Sequence, residues 1–510
     1  MPDQSVFDLL RSNEPLVVIE APAGCGKTYQ GAEYAHDIAP TLGNGRMLIL
    51  THTNAACDVF GERTRGVSRN AVEIRTIDAL ICQIAAAYYK VLDLPPDPTV
   101  WAYTHNGFAE IAARVAAFLK KNPVVPAALA RRYPIVVCDE HQDASPDHHQ
   151  IIMAIHEQGA KLRIFGDRMQ SIYKRNAKAA EHHRARWEAL VASAVHDELD
   201  HPHRWTKDEE GCSELGEWVL SARQSLLANQ PLDLTSGLPA SVKVIVAENT
   251  SPAHGGYQVE WKRRKPLDDH LNGHDEIFIL ASGNNLVRSL RSFWNRKVAI
   301  WEGHTRDALS ILLTDIQSID GNAVRAGEAL TRFMSSVAKG FTASSHGNRL
   351  KAEIECGCAK ARKGKPGNIQ ILAKILLAEP NHLGVSNAIA EIEKFIESSA
   401  VGFSEVKVDL IREFWESQRL AQYEDASQGY AEITMRRSVM RPKPLPKTLS
   451  TVHKAKGLEC RNTIIMHCDG ASFGDTIYGR CKLYVALSRA KSSLAIVVPE
   501  TNPSRLFKLS

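Results

Sequence analysis

No run in this 510-residue chain is apolar for the ~20 residues that a spanning helix requires, so the sequence offers no membrane segment. The opening MPDQSVFDLL has neither a basic start nor an apolar core, and no secretory leader is expected. Charge of one sign is also lacking. Lys and Arg number 62 against 58 Asp and Glu, a net +4, so overall charge does not argue for a nucleic-acid binder. It still leaves room for a local basic groove. Paired cysteines at metal-ligand spacing are missing too. Ten cysteines are scattered, and the one close pair, Cys356-Gly357-Cys358, has no second pair to complete a site. The plain reading is a reduced, intracellular chain whose buried cysteines act as small hydrophobes, with a metal at that pair as the lesser alternative. The 20 histidines contain no H-E-x-x-H or H-x-x-E-H pattern, and there is no internal repeat.

What is present is ordinary globular material, 44% hydrophobic and 24% charged, enough for two to four domains at roughly 100–200 residues each. Short runs of Val, Ile and Leu at 16–20, 46–51, 135–139 and 162–166 read as buried parallel strands with helices between them. Residues 1–200 are therefore expected to form one α/β domain, with a reduced helical insertion at about 80–130. Within it Phe108, Ile111, Val115, Phe118 and Leu119 share one helix face. A second strand set, at 242–246, 276–281, 462–468 and 493–499, predicts a second α/β domain from 201–310 and 445–510. Residues 311–444 would be a helical insertion ending in the stiff basic connector Arg441-Pro442-Lys443-Pro444-Leu445-Pro446-Lys447. Two further basic runs stand out. Lys360-Ala361-Arg362-Lys363-Gly364-Lys365 reads as a mobile surface loop or a phosphate contact. Lys262-Arg263-Arg264-Lys265, beside Trp261, reads as a solvated face or a partner contact.

The chemistry is concentrated in two early motifs. After the first strand comes Ala21-Pro22-Ala23-Gly24-Cys25-Gly26-Lys27-Thr28. Glycines there let backbone N–H groups turn inward around phosphate oxygens at a helix start. Ala23, Gly24, Cys25 and Gly26 would line a nucleotide, Lys27 would reach its β/γ-phosphates, and Thr28 would hold Mg²⁺. Pro134-Ile135-Val136-Val137-Cys138-Asp139-Glu140 delivers two carboxylates at a strand end. Asp139 is the candidate Mg²⁺ partner and Glu140 the candidate base for an attacking water. The cofactors implied are ATP and Mg²⁺.

Asp139-Glu140-His141-Gln142-Asp143 resembles the second motif of superfamily 1 helicases of the UvrD/Rep/PcrA type. Gly166-Asp167-Arg168-Met169-Gln170-Ser171-Ile172-Tyr173 is similar to the third motif of that family. The run from Thr451 through His453, Lys454, Lys456 and Gly457 to Glu459 resembles the fifth, and Tyr484-Val485-Ala486-Leu487-Ser488-Arg489-Ala490 the sixth. The resemblance implies two RecA-like domains with ATP between them, and a motor on single-stranded or tailed duplex DNA running 3′ to 5′. Gln170 would sense the γ-phosphate, and Arg489 and Arg204 would be arginine fingers. Glu459 would lie near the nucleotide sugar, and Gln4 near the adenine. Thr51, Asn54, Thr76, Tyr173, Thr451 and His453 would face the strand. Here the pattern departs from the family. His52 replaces an aromatic, Arg175 stands where a tryptophan is usual, and Asp78 ends Thr76-Ile77-Asp78 where the family has Thr-Phe-His. Both insertions are small, and no nuclease domain is expected in the stretch after Arg489. In size and layout the chain is similar to the compact helicase subunit of Gabija-type antiviral systems. The alternative expectation is therefore a nucleic-acid-sensing ATPase subunit acting with a partner nuclease in the cytoplasm, in antiviral defence or in DNA repair.

Overall fold

The computed structural model describes residues 3–105, 107–173, 176–207, 209–251, 256–303, 306–439 and 443–509. Five consecutive buried residues form β1 (Leu16–Glu20), because a strand covered on both faces has no polar side to alternate. β2 (Met47–Thr51) and β4 (Ile135–Cys138) are likewise buried throughout. With β3 (Val72–Thr76), β5 (Lys161–Gly166) and β6 (Val195–Glu198) they form a six-stranded sheet in the order β3-β2-β4-β5-β1-β6. Every pairing in it is parallel, so each connection is a crossover. α1 (Gln4–Arg11) precedes β1, and the crossovers carry α2 (Lys27–Ile38), α3 (Asn54–Arg63), α4 (Ile77–Ala87), α5 (Phe108–Lys121), α6 (Pro146–His156) and α7 (Ala177–Ala192). α5 buries Ile111, Val115, Phe118 and Leu119, the face the periodicity predicts, while Phe108 is only half-buried.

The second sheet contains β7 (Val242–Val246), β8 (Ile277–Ala281), β9 (Ala299–Ile300), β10 (Lys447–Thr451), β11 (Cys460–Ile465) and β12 (Ala490–Val498). Its order is β9-β10-β8-β11-β12-β7, again entirely parallel. α8 (Ser213–Leu227), α9 (Trp261–Asn272) and α10 (Ile477–Leu487) belong to this half. Two parallel α/β sheets flanked by helices are the architecture of paired RecA-like domains. One expectation changes here. Lys447 ends the expected connector but begins β10, with its backbone paired to Ile277. Arg441 and Pro442 lie outside the described residues.

The chain divides into two compact units. Met1–Pro98, Phe108–Trp301 and Lys443–Ser510 make up the first, which holds both sheets. The second, Thr99–Gly107 with Glu302–Pro442, is helical and is built on Ala323–Val337, Gly364–Ala378 and His382–Glu397. Leu330, Phe333, Leu372, Ile389 and Ile392 are buried in its interior. His346 stacks on Phe341 with ring centroids 4.4 Å apart, and its Nε2 lies 2.7 Å from the Gly402 carbonyl. The basic run at 360–365 is tied down rather than free. The Lys360 carbonyl accepts from Gln370, Arg362 lies 3.5 Å from the buried Glu353, and Gly364 opens a helix.

Candidate active site

The loop between β1 and α2 turns through Gly24 (φ +82°) and Gly26 (φ +84°), left-handed conformations that glycine adopts without steric cost. No side chain caps α2, so its first N–H groups are available to an anion. Residues from the second half of the unit roof this loop. The Ala23 N–H donates to Tyr484 Oη at 2.8 Å, and the Arg204 N–H donates to the Gly24 carbonyl at 3.0 Å. A Cβ on Gly24 would fall 2.7 Å from the Trp205 ring, and one on Gly26 would fall 2.9 Å from the His203 ring. Both glycines are thus required for space as well as for conformation.

Lys27 reaches from the loop to the end of β4. Its Nζ is 3.2 Å from Asp139 Oδ1 and is ion-paired with Glu140. Glu140 sits at φ +55°, a conformation that costs a residue with a Cβ roughly 1–2 kcal/mol. Asp139 Oδ1 accepts the Glu140 N–H at 3.0 Å, and the Gln142 side chain donates to the Glu140 carboxylate. Gln142 Oε1 in turn accepts the Asp167 N–H at 3.1 Å, joining the ends of β4 and β5. Gln170 is buried, and its Nε2 donates to Asp167 Oδ2 at 3.0 Å.

Lys456, in the turn after β10, connects the two halves. Its Nζ donates to Asp143 Oδ2 at 2.6 Å and to the Gln170 carbonyl at 2.8 Å. It also lies 3.8 Å from Glu140 Oε2 and 5.1 Å from the centre of the Tyr173 ring. Sequence reading quoted Lys456 within its motif without giving it a part. Arg223 was missed altogether. It is fully buried on α8, with Nη2 2.5 Å from Glu20 Oε1 and 3.1 Å from Asp167 Oδ1, and Nη1 2.6 Å from Glu198. The signal for it is an arginine on the apolar face of a helix, among Leu215, Val219, Ala222 and Leu226. Burial pushes the Glu20 carboxyl up, and Arg223 opposes that push.

The two arginines expected to act as fingers sit differently. Arg204 Nε donates to Glu459 Oε2 at 2.7 Å and its Nη1 to the Ser488 carbonyl at 2.7 Å, beside the loop. Arg489 is 1% exposed, and its guanidinium donates to the Val485 and Leu458 carbonyls and to Ser488 Oγ. Burial first, and then the Arg204 charge, lower its pKa to about 9. Here Arg489 is engaged within its own half. Gln4 opens α1, and its amide donates to Asp8 at 2.9 Å.

Of the residues expected to face a strand, Tyr173 is 55% exposed and lies 6.4 Å, ring to ring, from His453. His453 Nε2 is 3.0 Å from the Ile172 carbonyl and 2.9 Å from Tyr478 Oη, so it too bridges the halves. Thr451 is buried at the end of β10 and accepts the Lys454 N–H. Thr51 is buried at the end of β2, Asn54 begins α3, and Thr76 caps α4 by accepting the Ala79 N–H. His52 lies 6.0 Å, ring to ring, from His148, whose Nε2 is 3.3 Å from Asp78. Arg175 lies outside the described residues.

The residues present fit a magnesium nucleotide. The loop has glycines where a Cβ would clash, an uncapped helix start and a lysine. Two carboxylates stand opposite, and Asp143 Oδ1 is buried without a hydrogen-bond partner. Comparison with known proteins bears on the same segments. No curated protein matches the chain. The UvrD/REP helicase N-terminal domain matches residues 98–185, which carry Asp139, Glu140, Gln170 and Tyr173. The UvrD-like helicase C-terminal domain matches residues 447–497, which carry Thr451, His453, Glu459 and Arg489. Two matches in this order, on two parallel sheets, support a helicase of the UvrD/Rep type.

Proposed function

We propose that this chain is an ATP-driven motor that moves along single-stranded DNA from 3′ to 5′ in the cytoplasm, in antiviral defence or DNA repair. The observation that carries this reading is the path through Lys456. One side chain touches Asp143 and Glu140, the latter also paired with Lys27, together with the backbone of Gln170 and the ring of the exposed Tyr173. In this reading residues 1–200 are one RecA-like lobe, 201–310 with 445–510 the other, and 311–444 the helical insertion.

Ala23, Gly24, Cys25, Gly26 and Lys27 hold the phosphates, with Gln4 toward the adenine and Glu459 toward the sugar. Thr28 and Asp139 hold Mg²⁺, which neutralises phosphate charge when bound. Glu140 takes the proton of the attacking water, and Gln170 reads the γ-phosphate. Arg204, already hydrogen-bonded to the loop backbone, is poised to stabilise the transferred phosphoryl. Arg489 joins it only by exchanging its three internal acceptors for phosphate oxygens. Thr51, Asn54, Thr76, Tyr173, Thr451 and His453 grip the strand.

A second reading is favoured by the Asp78–His148 pair. It sets a carboxylate on the expected strand face, where phosphates repel it. There the chain senses nucleic acid and regulates a partner nuclease without processive unwinding. ATP turnover with and without single-stranded DNA separates the two. Strong stimulation supports the motor, and turnover that ignores DNA or needs a second protein supports the sensor. Glu140→Gln is the control, expected to bind ATP and lose turnover by about 10²–10⁴-fold. Wild-type turnover in that variant would remove Glu140 from its role.

A further inference from the structure

Trp261 begins α9 and is 82% exposed, more than any other large hydrophobic side chain among the described residues. Trp187, Trp205, Trp294 and Trp301 are all buried. Lys262, Arg263 and Lys265 are exposed beside it, and Lys265 shares its helix face at i+4. The fold gains little from this arrangement. An aromatic side chain left in water forgoes its burial, and cations in a first helical turn oppose the helix dipole. Two of the four cations are anchors. Arg263 reaches Glu500 at 2.6 Å, and Arg264 reaches Asp268 at 3.1 Å with its guanidinium 4.5 Å from the centre of the Phe293 ring. Lys262 and Lys265 project their charge into solvent.

The anchor to Glu500 also places the patch. Glu500 follows the carboxyl end of β12, and Thr451 and His453 lie at and just beyond the carboxyl end of β10. All strands of this sheet run parallel, so both points lie on one edge, the edge at which open α/β sheets bind ligands. Three strand spacings separate β10 from β12, about 14 Å. A strand leaving Thr451 and His453 along this edge meets Trp261 within a few nucleotides.

We propose that Trp261, Lys262 and Lys265 form an outer single-strand-binding patch. The indole stacks on one unpaired base, and the two lysines take flanking phosphates. This rests on the reading that the chain works on a nucleic-acid strand. The test compares the full chain with a Trp261→Ala/Lys262→Ala/Lys265→Ala variant on short (about 10-nucleotide) and long (about 40-nucleotide) oligothymidylates. Affinity for the long strand should fall about 10- to 100-fold, and its log–log salt slope should shrink by about 1.4. ATP turnover in the absence of any strand should be unchanged. A long strand carrying 5-iodouracil should photocrosslink to the peptide containing Trp261, and Trp261→Phe should retain most of the affinity. Unchanged long-strand affinity together with no crosslink overturns the proposal. So does loss of binding to a partner protein while strand affinity persists, which would make this a protein-docking face. If the short strand fails to stimulate wild-type turnover, the motor reading fails, and the crosslink still decides the patch.

Discussion

Lys456 and Asp143 meet between the two sheets, with Nζ 2.6 Å from Oδ2, while the other carboxylate oxygen of Asp143 is buried without a hydrogen-bond partner. Removing the ammonium leaves that charge uncompensated, a loss of about 3–5 kcal/mol where a buried pair is broken. Lys456→Ala should therefore retain nucleotide binding and lose at least about tenfold of the DNA stimulation of ATP turnover, 1.4 kcal/mol or more of coupling. Steady-state turnover with and without a strand checks it. An equal fall in basal and stimulated rates would make Lys456 a structural residue.

Arg223 compensates three carboxylates at once, Glu20, Asp167 and Glu198. Arg223→Met should destabilise the fold by about 3–5 kcal/mol, seen as a lower denaturant midpoint. Adding Glu20→Gln removes one of the stranded charges and should recover part of that loss. A double variant no more stable than the single would show that Glu20 is already neutral without Arg223.

Acid should weaken the fold through His141 and His149, whose ring nitrogens are 3.0 Å apart. Burial, and then the Arg186 charge, hold His149 down at about 4, and burial with His149 holds His141 well below the ordinary range. Above about pH 6.5 neither state binds these protons, and stability is complete. Between about 6.5 and 4 the unfolded chain takes up protons that the folded chain refuses, so stability falls with pH, then levels off. The His149 share is at most about 3 kcal/mol. His149→Gln should flatten that limb in denaturant titrations at pH 5 and pH 7.5. An unaltered limb would place the acid sensitivity elsewhere.

Tyr173→Ala should weaken single-strand binding by about 1–3 kcal/mol and leave basal ATP turnover intact. Fluorescence anisotropy with a labelled oligonucleotide reads the first, and phosphate release the second. Loss of both would mean that the ring packs rather than stacks.

Much of this was legible because it is local. The runs at 16–20 and 242–246 match β1 and β7 residue for residue; β1 is covered on both faces and buried throughout, whereas the edge strand β7 buries only Val242 and Ile245. The glycines of the β1–α2 loop and the carboxylates ending β4 announced themselves by type and spacing. β3 and β10 were passed over because each mixes apolar with polar residues, as in Val-Glu-Ile-Arg-Thr and Lys-Thr-Leu-Ser-Thr. The long-range partners were not legible. No spacing rule links Arg223 to Glu20 across 203 residues, or Tyr484 to Ala23 across 461. The inward turn of Arg489 is a choice of acceptors that only the folded chain makes.

The order of the second sheet sets a condition on biosynthesis. β7, β8 and β9 are made before the long helical segment 302–442, yet no two of them are neighbours; each is flanked only by β10, β11 or β12. A ribosome that has released residue 440 has therefore exposed three strands with no sheet partner. They wait, edges open, through the whole helical segment until 447–498 follow. Chains stopped short of that stretch should aggregate rather than fold in part, and a chaperone has its longest task during that interval.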